Sequence, residues 1–293
     1  MYYFLYCFLY LLSLIPWKIL YFIGDCFYLL VYYIIGYRRE VVRSNLLIAF
    51  PEKTEEERKQ ISKQFYHNFI DTFIETIKFL SISDKEFSKR ISGNFDLLNE
   101  LYKTGQNIQI HSGHFFNWEY MNWAVPKYSS YPFIGVYFTI TNASFNKIIL
   151  NLRQRYHSIM LSATEFQNRF HQLSKGRFAL GLYADQSPPR THQSYWLSFF
   201  GKLTPFVPGP EKSARINNTA VVFVHHYKVK RGYYKADFSL ITSTPKEYGR
   251  GELTKIYVSW LEECIRKKPF NYLWSHRRWK QEFKEEFRKN VIS

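Results

Sequence analysis

From Met1 to Gly36 the chain is an almost unbroken apolar and aromatic run in which Lys18 and Asp25 are the only charged side chains. No polar stripe recurs at helical spacing, so the run reads as a membrane segment rather than as a pair of buried core helices. A spanning helix needs ~20 apolar residues. The uncharged stretch 1–17 falls just short, and Pro16, Lys18 and Asp25 leave a tilted span, a broken hairpin and an interfacial helix all open. The start lacks basic residues and no small-x-small cleavage site follows, so the segment is expected to be retained. Arg38, Arg39 and Arg43 follow it directly, and the excess of positive charge on that side places the remainder in the cytoplasm.

Beyond residue 36 the pattern changes. Thr54 and Glu57 form a capping box, after which Ile61, Phe65, Phe69, Phe73 and Ile77 recur every four residues, predicting a long amphipathic helix to about Leu80. Strands and helices then alternate. A strand is expected near 107–111, a helix after His114, a strand near 132–138, helices over 142–156 and 164–175, and an apolar strand over 177–184 that ends in Asp185. Ala220 to Tyr227 and Tyr233 to Leu240 read as a hairpin across Lys230, Arg231 and Gly232, and Leu253 to Arg266 as a helix closed by Pro269. Such alternation implies an α/β fold with a parallel or mixed sheet flanked by helices. The expected organisation is a membrane anchor over 1–36 and one domain over 37–293.

Charge adds a constraint on partners. Lysine and arginine number 40 against 24 aspartates and glutamates, a formal net charge of +16, and residues 266–293 hold nine basic and three acidic side chains. Polyanionic partners follow from this: a phosphorylated lipid, an acidic carrier protein or nucleic acid. The three cysteines, Cys7, Cys26 and Cys264, have neither metal-ligand spacing nor the even count of a disulfide framework, which fits a reducing compartment.

The stretch that bears on chemistry is His111-Ser-Gly-His114-Phe-Phe-Asn-Trp-Glu119, where a strand stops, a glycine turns the chain and a helix begins. Strand ends of α/β sheets are where sites are built. Imidazole suits removal of a hydroxyl proton near neutral pH. Glu119, one helical turn on from His114, is expected to reach back and orient the ring, giving a base and its orienter without a serine nucleophile. A surface histidine beside a capping carboxylate is the plainer reading of the same pair. Zinc held by His111, His114 and Glu119 is a minor alternative, since no H-E-x-x-H occurs and only these three candidate ligands cluster; no metal and no cofactor are expected.

The segment from Gly113 to Glu119 resembles the H-x4-(D/E) block of the lipid A late acyltransferases, the lauroyl and myristoyl transferase family. Three further stretches agree in order: Asn142 with Arg153, Tyr183-Ala-Asp185-Gln-Ser-Pro with Phe199-Phe-Gly201, and Tyr272-Leu-Trp-Ser-His-Arg277-Arg278-Trp-Lys280. The resemblance implies a glycerolipid-acyltransferase-like fold and an acyl carrier protein thioester as donor and partner. It further implies a phosphorylated lipid A precursor as acceptor, and a place at the inner membrane with the catalytic domain on the cytoplasmic side and no nucleic acid partner. Carried over by position, His114 would be the general base and Glu119 its orienter. Asn117, Arg153, Asp185, Arg277 and Arg278 would serve the substrate. Two departures bear on substrate fit: Phe138 and Thr139 follow Tyr137 where the family commonly has arginine, and Phe116 stands where it often has glycine.

Two alternatives accompany this reading. The acceptor could be a lysophospholipid or an aminoacyl lipid. In a different class, the chain could be a basic, membrane-tethered binding protein without chemistry, in which case replacing His114 leaves function intact and binding falls steeply with salt.

Overall fold

A computed structural model describes residues 1–292. Its centre is a seven-stranded sheet in the order β1-β9-β8-β2-β5-β3-β4. The strands are β1 (Ile91–Gly93), β2 (Ile108–Ser112), β3 (Phe133–Tyr137), β4 (Ile159–Ser162), β5 (Ala179–Tyr183), β8 (Ala220–Lys230) and β9 (Tyr233–Thr242). All neighbours pair in parallel except β8 and β9, which form the expected hairpin. The expected α/β class with a mixed sheet is therefore the observed one. A separate antiparallel hairpin pairs β6 (Tyr195–Phe199) with β7 (Lys202–Phe206).

Helices cover the sheet. α4 (Glu55–Lys78) begins at the Thr54 capping box, in which the Glu57 amide donates to Thr54 Oγ1 and the Thr54 amide donates to the Glu57 carboxylate. Its apolar face, including Phe65 and Ile70, is buried. α7 (Trp118–Tyr128) follows β2, α8 (Ala143–Arg153) starts at the Asn142 cap, and α11 (Glu252–Lys267) is the expected late helix. Several pieces were not expected, among them the helices Arg39–Ala49 and Asp96–Lys103, strand β1, strand β4, the β6–β7 hairpin and α10 (Gly209–Asn217). β4 is only four residues long, too short for alternation to mark it. The β6–β7 turn runs through Phe200 and Gly201, both with positive φ, so a bulky residue sits in a backbone region normally left to glycine.

The N-terminal run forms α1 (Tyr2–Leu14) and α2 (Trp17–Leu29), divided at Pro16. The second helix continues through a π-helical turn to Ile35, making Trp17–Ile35 long and apolar enough to cross a membrane by length and composition. Both helices lie against α4, and α1 also touches α8.

Candidate active site

Parallel pairing of β2 with β5 places Ser112 opposite Tyr183 at the last rung. The two strands end side by side, and the segments that leave them carry His114 and Asp185. The His114 Nδ1 lies 2.7 Å from Asp185 Oδ1, and the His114 amide donates to Oδ2 at 3.0 Å, so one carboxylate fixes both the backbone and the ring. Asp185 is fully buried. Burial alone would raise its carboxyl, but the charge and hydrogen bonds of His114 outweigh this and hold it at about 2. An ionised carboxylate accepts only, so Nδ1 carries the proton and Nε2 is left as the basic nitrogen. The ring is partly open to the exterior, with Tyr183 5.0 Å and Trp118 6.2 Å away between ring centres.

The turn itself is tightly built. A Cβ on Gly113 would come within 2.5 Å of Leu261 on α11, so only glycine fits between β2 and His114. The segment 271–274 runs antiparallel to the turn: Phe116 N–H donates to the Asn271 carbonyl at 2.8 Å and Leu273 N–H to the His114 carbonyl at 3.0 Å. Ser187 N–H donates to His276 Nε2 at 2.9 Å, tying the segment after Asp185 to the same C-terminal stretch. Burial pushes His276 down to about 4, keeping it the neutral acceptor this bond needs. His111 and His226 are buried and likewise pushed down, to about 4 and about 3, and both serve the interior.

Glu119 does not orient His114, contrary to the sequence expectation. It is buried at the start of α7, where its carboxylate accepts from Arg153 Nε at 3.0 Å, from Trp118 Nε1 at 3.1 Å and from Asn122 Nδ2 at 3.1 Å. Desolvation opposes the charge on Glu119, yet Arg153 prevails and lowers its pKa. Arg153, in the last turn of α8, is accordingly mostly buried rather than a free surface arginine. The local reading failed because the helix start turns the Glu119 side chain towards α8, while the neighbouring strand end supplies the carboxylate.

The other expected substrate residues divide. Asn117 is wholly buried and both ends of its amide are used within the protein. Oδ1 caps α7 through the Glu119 amide at 3.0 Å and Nδ2 donates to Glu75 at 3.0 Å, so it builds the turn rather than facing substrate. Arg278 is also interior: its guanidinium stacks over Phe206 at 4.2 Å and donates to the Pro205 carbonyl at 2.8 Å, and burial lowers its pKa to about 10. Arg277 is exposed, but on a groove beside α3 (Arg39–Ala49) with Glu40 and Lys280. Sequence reading did not single out Glu75. It is fully buried in α4, accepts from Asn117, Tyr21 and Tyr234, and is pushed up chiefly by burial. It shares its side of α4 with Asn68, Asp71 and Thr72, a buried polar row within the Phe-rich helix.

The motif-bearing segments meet in two linked pairs, His114 with Asp185 and Glu119 with Arg153, braced by the C-terminal stretch, and the family described as bacterial lipid A biosynthesis acyltransferase matches residues 1–281. The chain belongs to that family. The match embraces the apolar N-terminal helices, the His114 turn and the C-terminal segment alike. Membership supports acyl transfer in lipid A biosynthesis and association with a membrane. A comparison with curated proteins finds no match.

Proposed function

We propose that this acyltransferase moves a fatty acyl group from an acyl carrier protein thioester to a hydroxyl of a phosphorylated lipid A precursor, with His114 as general base and Asp185 as its orienting carboxylate. The observation that carries this reading is the 2.7 Å contact between His114 Nδ1 and Asp185, which leaves Nε2 as a base at the open side of the ring. In the reaction, Nε2 takes the acceptor hydroxyl proton as the oxygen attacks the thioester carbonyl. The tetrahedral intermediate collapses, breaking the C–S bond, and the departing thiolate recovers the proton from the imidazolium. Asp185 stabilises that imidazolium without accepting its proton. Transfer is direct: among the described residues the His114 ring is hydrogen-bonded to Asp185 and to no serine or cysteine that could serve as nucleophile.

The charge of the chain suits an acidic carrier and a phosphorylated acceptor. A cavity of about 760 Å³, lined by Pro188, Arg190, Lys212 and Arg250, takes part of its wall from the segment that follows Asp185 and offers anionic substrate groups a basic surface. Arg153, held in place by Glu119, supplies a further cation in the fold beside the site. A location at the cytoplasmic face of the inner membrane is supported by Arg38, Arg39 and Arg43 after the apolar run, cations suited to the anionic headgroups of that leaflet.

Acyl transfer from acyl carrier protein to a tetra-acylated lipid A precursor in detergent micelles tests the proposal. Turnover by the wild type, lost in His114→Ala and Asp185→Asn proteins that remain folded, is the expected result. Turnover with lysophospholipid and none with the disaccharide would transfer the assignment to the alternative acceptor. Activity that survives His114→Ala would overturn the mechanism.

A further inference from the structure

The N-terminal helices are apolar, yet α2 is fastened to the catalytic domain along its length and α1 at both ends. α2 runs antiparallel beside α4. At its start Arg90 stacks over Trp17 at 3.8 Å. Tyr21 O–H then donates to Glu75 at 3.1 Å. Next, Asp25 meets Arg231 at 2.7 Å, and the same guanidinium grips Asp71 of α4, also at 2.7 Å. Further on, Tyr28 stacks on His67 with ring centres 3.6 Å apart, and Tyr66 O–H donates to the Tyr37 carbonyl. If α2 crossed the bilayer, this stretch of α4 would cross beside it. Asp71, Glu75, Lys228 and the exposed Lys230 of the β8–β9 turn would then lie in hydrocarbon. Charges at that depth are rare and expensive.

α1 is held at both ends as well. Lys78 Nζ donates to the Ser13 and Ile15 carbonyls at 2.7 and 3.0 Å, and Ser81 Oγ to Ser13 at 2.7 Å. At the other end Tyr2 accepts from Asn151 at 3.3 Å and lies beneath Lys147, both on the helix that ends in Arg153. With 13 residues α1 is about 20 Å long, short of the ~30 Å hydrocarbon core.

Away from these fastenings the two helices expose Phe4, Phe8, Leu11, Phe22 and Ile34; Phe73 and Phe138 of the catalytic domain are exposed as well. Phe138 follows β3 and is 81% exposed. Apolar surface of this extent marks a contact with another phase or molecule. Lys18, exposed at the start of α2, and Arg38, at the end of the apolar run, provide cations for anionic headgroups.

We infer that residues 1–37 do not cross the membrane. They form a monotopic platform that enters a single lipid leaflet side-on, so that Tyr2, the α1–α2 junction and His114 all lie on one side of the bilayer. The inference deepens the membrane association proposed above and is independent of the catalytic assignment, because its test needs no turnover.

The test places the full-length chain in native membranes, after a carbonate wash confirms that it sediments with them. In a Cys7→Ser, Cys26→Ser background, Lys18→Cys reports the junction and Lys246→Cys the catalytic domain, while a protease-cleavable tag before Met1 reports the start of α1. A membrane-impermeant maleimide and a protease are applied to each face in turn. The expected result is that neither the tag nor Lys18→Cys is reached from the face opposite Lys246→Cys, and that Lys18→Cys reacts once detergent dissolves the bilayer. Access to the tag from the opposite face would establish a single span, and access to Lys18→Cys from there a spanning hairpin; either overturns the inference. Release of the chain by carbonate would instead overturn the membrane association on which it rests.

Discussion

His114 and Asp185 stand 71 positions apart in the chain, yet each lies two residues beyond a paired strand end, Ser112 on β2 and Tyr183 on β5. Their 2.7 Å contact is thus a consequence of parallel register. It predicts a division of labour between the two carboxylates near the base. Asp185→Asn keeps the shape but presents an amide to Nδ1, favouring the wrong tautomer, and should lower kcat by a factor on the order of 10³ to 10⁴. Glu119→Gln, which touches Arg153 rather than the ring, should change kcat less and act mainly on KM and melting temperature. Steady-state kinetics on both proteins decide the matter, and the reverse ranking would return Glu119 to the role the sequence suggested for it.

The pair of Glu119 and Arg153 makes a separate claim about stability. Both side chains are largely removed from solvent, at 5% and 17% exposure, so removing either partner strands the other as an unpaired buried charge. Each alanine variant should lose roughly 3–5 kcal/mol of stability. The Glu119→Ala, Arg153→Ala double variant should lose clearly less than the two losses combined, because neither charge is then left alone. Additive losses in thermal or denaturant unfolding would mean that the ion pair contributes little.

These two pairs show where sequence reading succeeded and where it stopped. Elements with a strong period or a local chemical signal were legible: the four-residue repeat of α4 behind its capping box, the hairpin across Gly232, and the apolar strand closing on Asp185. The ordered motifs identified the family, and His114, Glu119, Arg153 and Asp185 were all named as site residues. What the sequence could not supply was adjacency. A search along the chain finds Glu119, because a helical turn is a local relation, whereas Asp185 reaches His114 only through the order of strands in the sheet. Arg278 misled for a related reason: an arginine in a basic tail reads as surface, and its burial against Phe199 and Phe206 depends on a hairpin with no periodic signal. Glu75 was hidden because its three hydrogen-bonding partners, Tyr21, Asn117 and Tyr234, come from distant segments.

The depressed pKa of Asp185 carries a consequence for stability against pH. Its ordinary value is 3.8 and its folded value about 2, so the unfolded chain binds the proton more readily. The contribution is therefore complete above about pH 4 and is lost as pH falls towards 2. Its size is about 2 kcal/mol by linkage. Compared at pH 6 and pH 3, wild type should lose part of this increment and Asp185→Asn, which has no such proton to take up, should not. An identical acid sensitivity in the two proteins would show that the His114 contact does not hold the carboxylate ionised.

The last prediction concerns the turn that delivers His114. Gly113 has no room for a methyl group, since a Cβ there would lie 2.5 Å from Leu261 Cδ1 and 3.1 Å from the Phe115 ring. Overpacking of this kind costs about 1–3 kcal/mol; Leu261 is itself fully buried, and to the extent that it cannot yield, the turn moves outward, taking the imidazole away from Asp185. Gly113→Ala should therefore lower kcat at least tenfold in a protein that still folds. Leu261→Ala opens the space against which the new methyl presses, although by itself it should destabilise the core by about 2–5 kcal/mol. Combined with Gly113→Ala it should restore much of the lost kcat while leaving the protein less stable than wild type. Recovery of activity together with reduced stability is a result that a general folding defect at Gly113 does not give. If Leu261→Ala fails to raise the activity of the Gly113→Ala protein, contact with α11 is not what holds His114 in place.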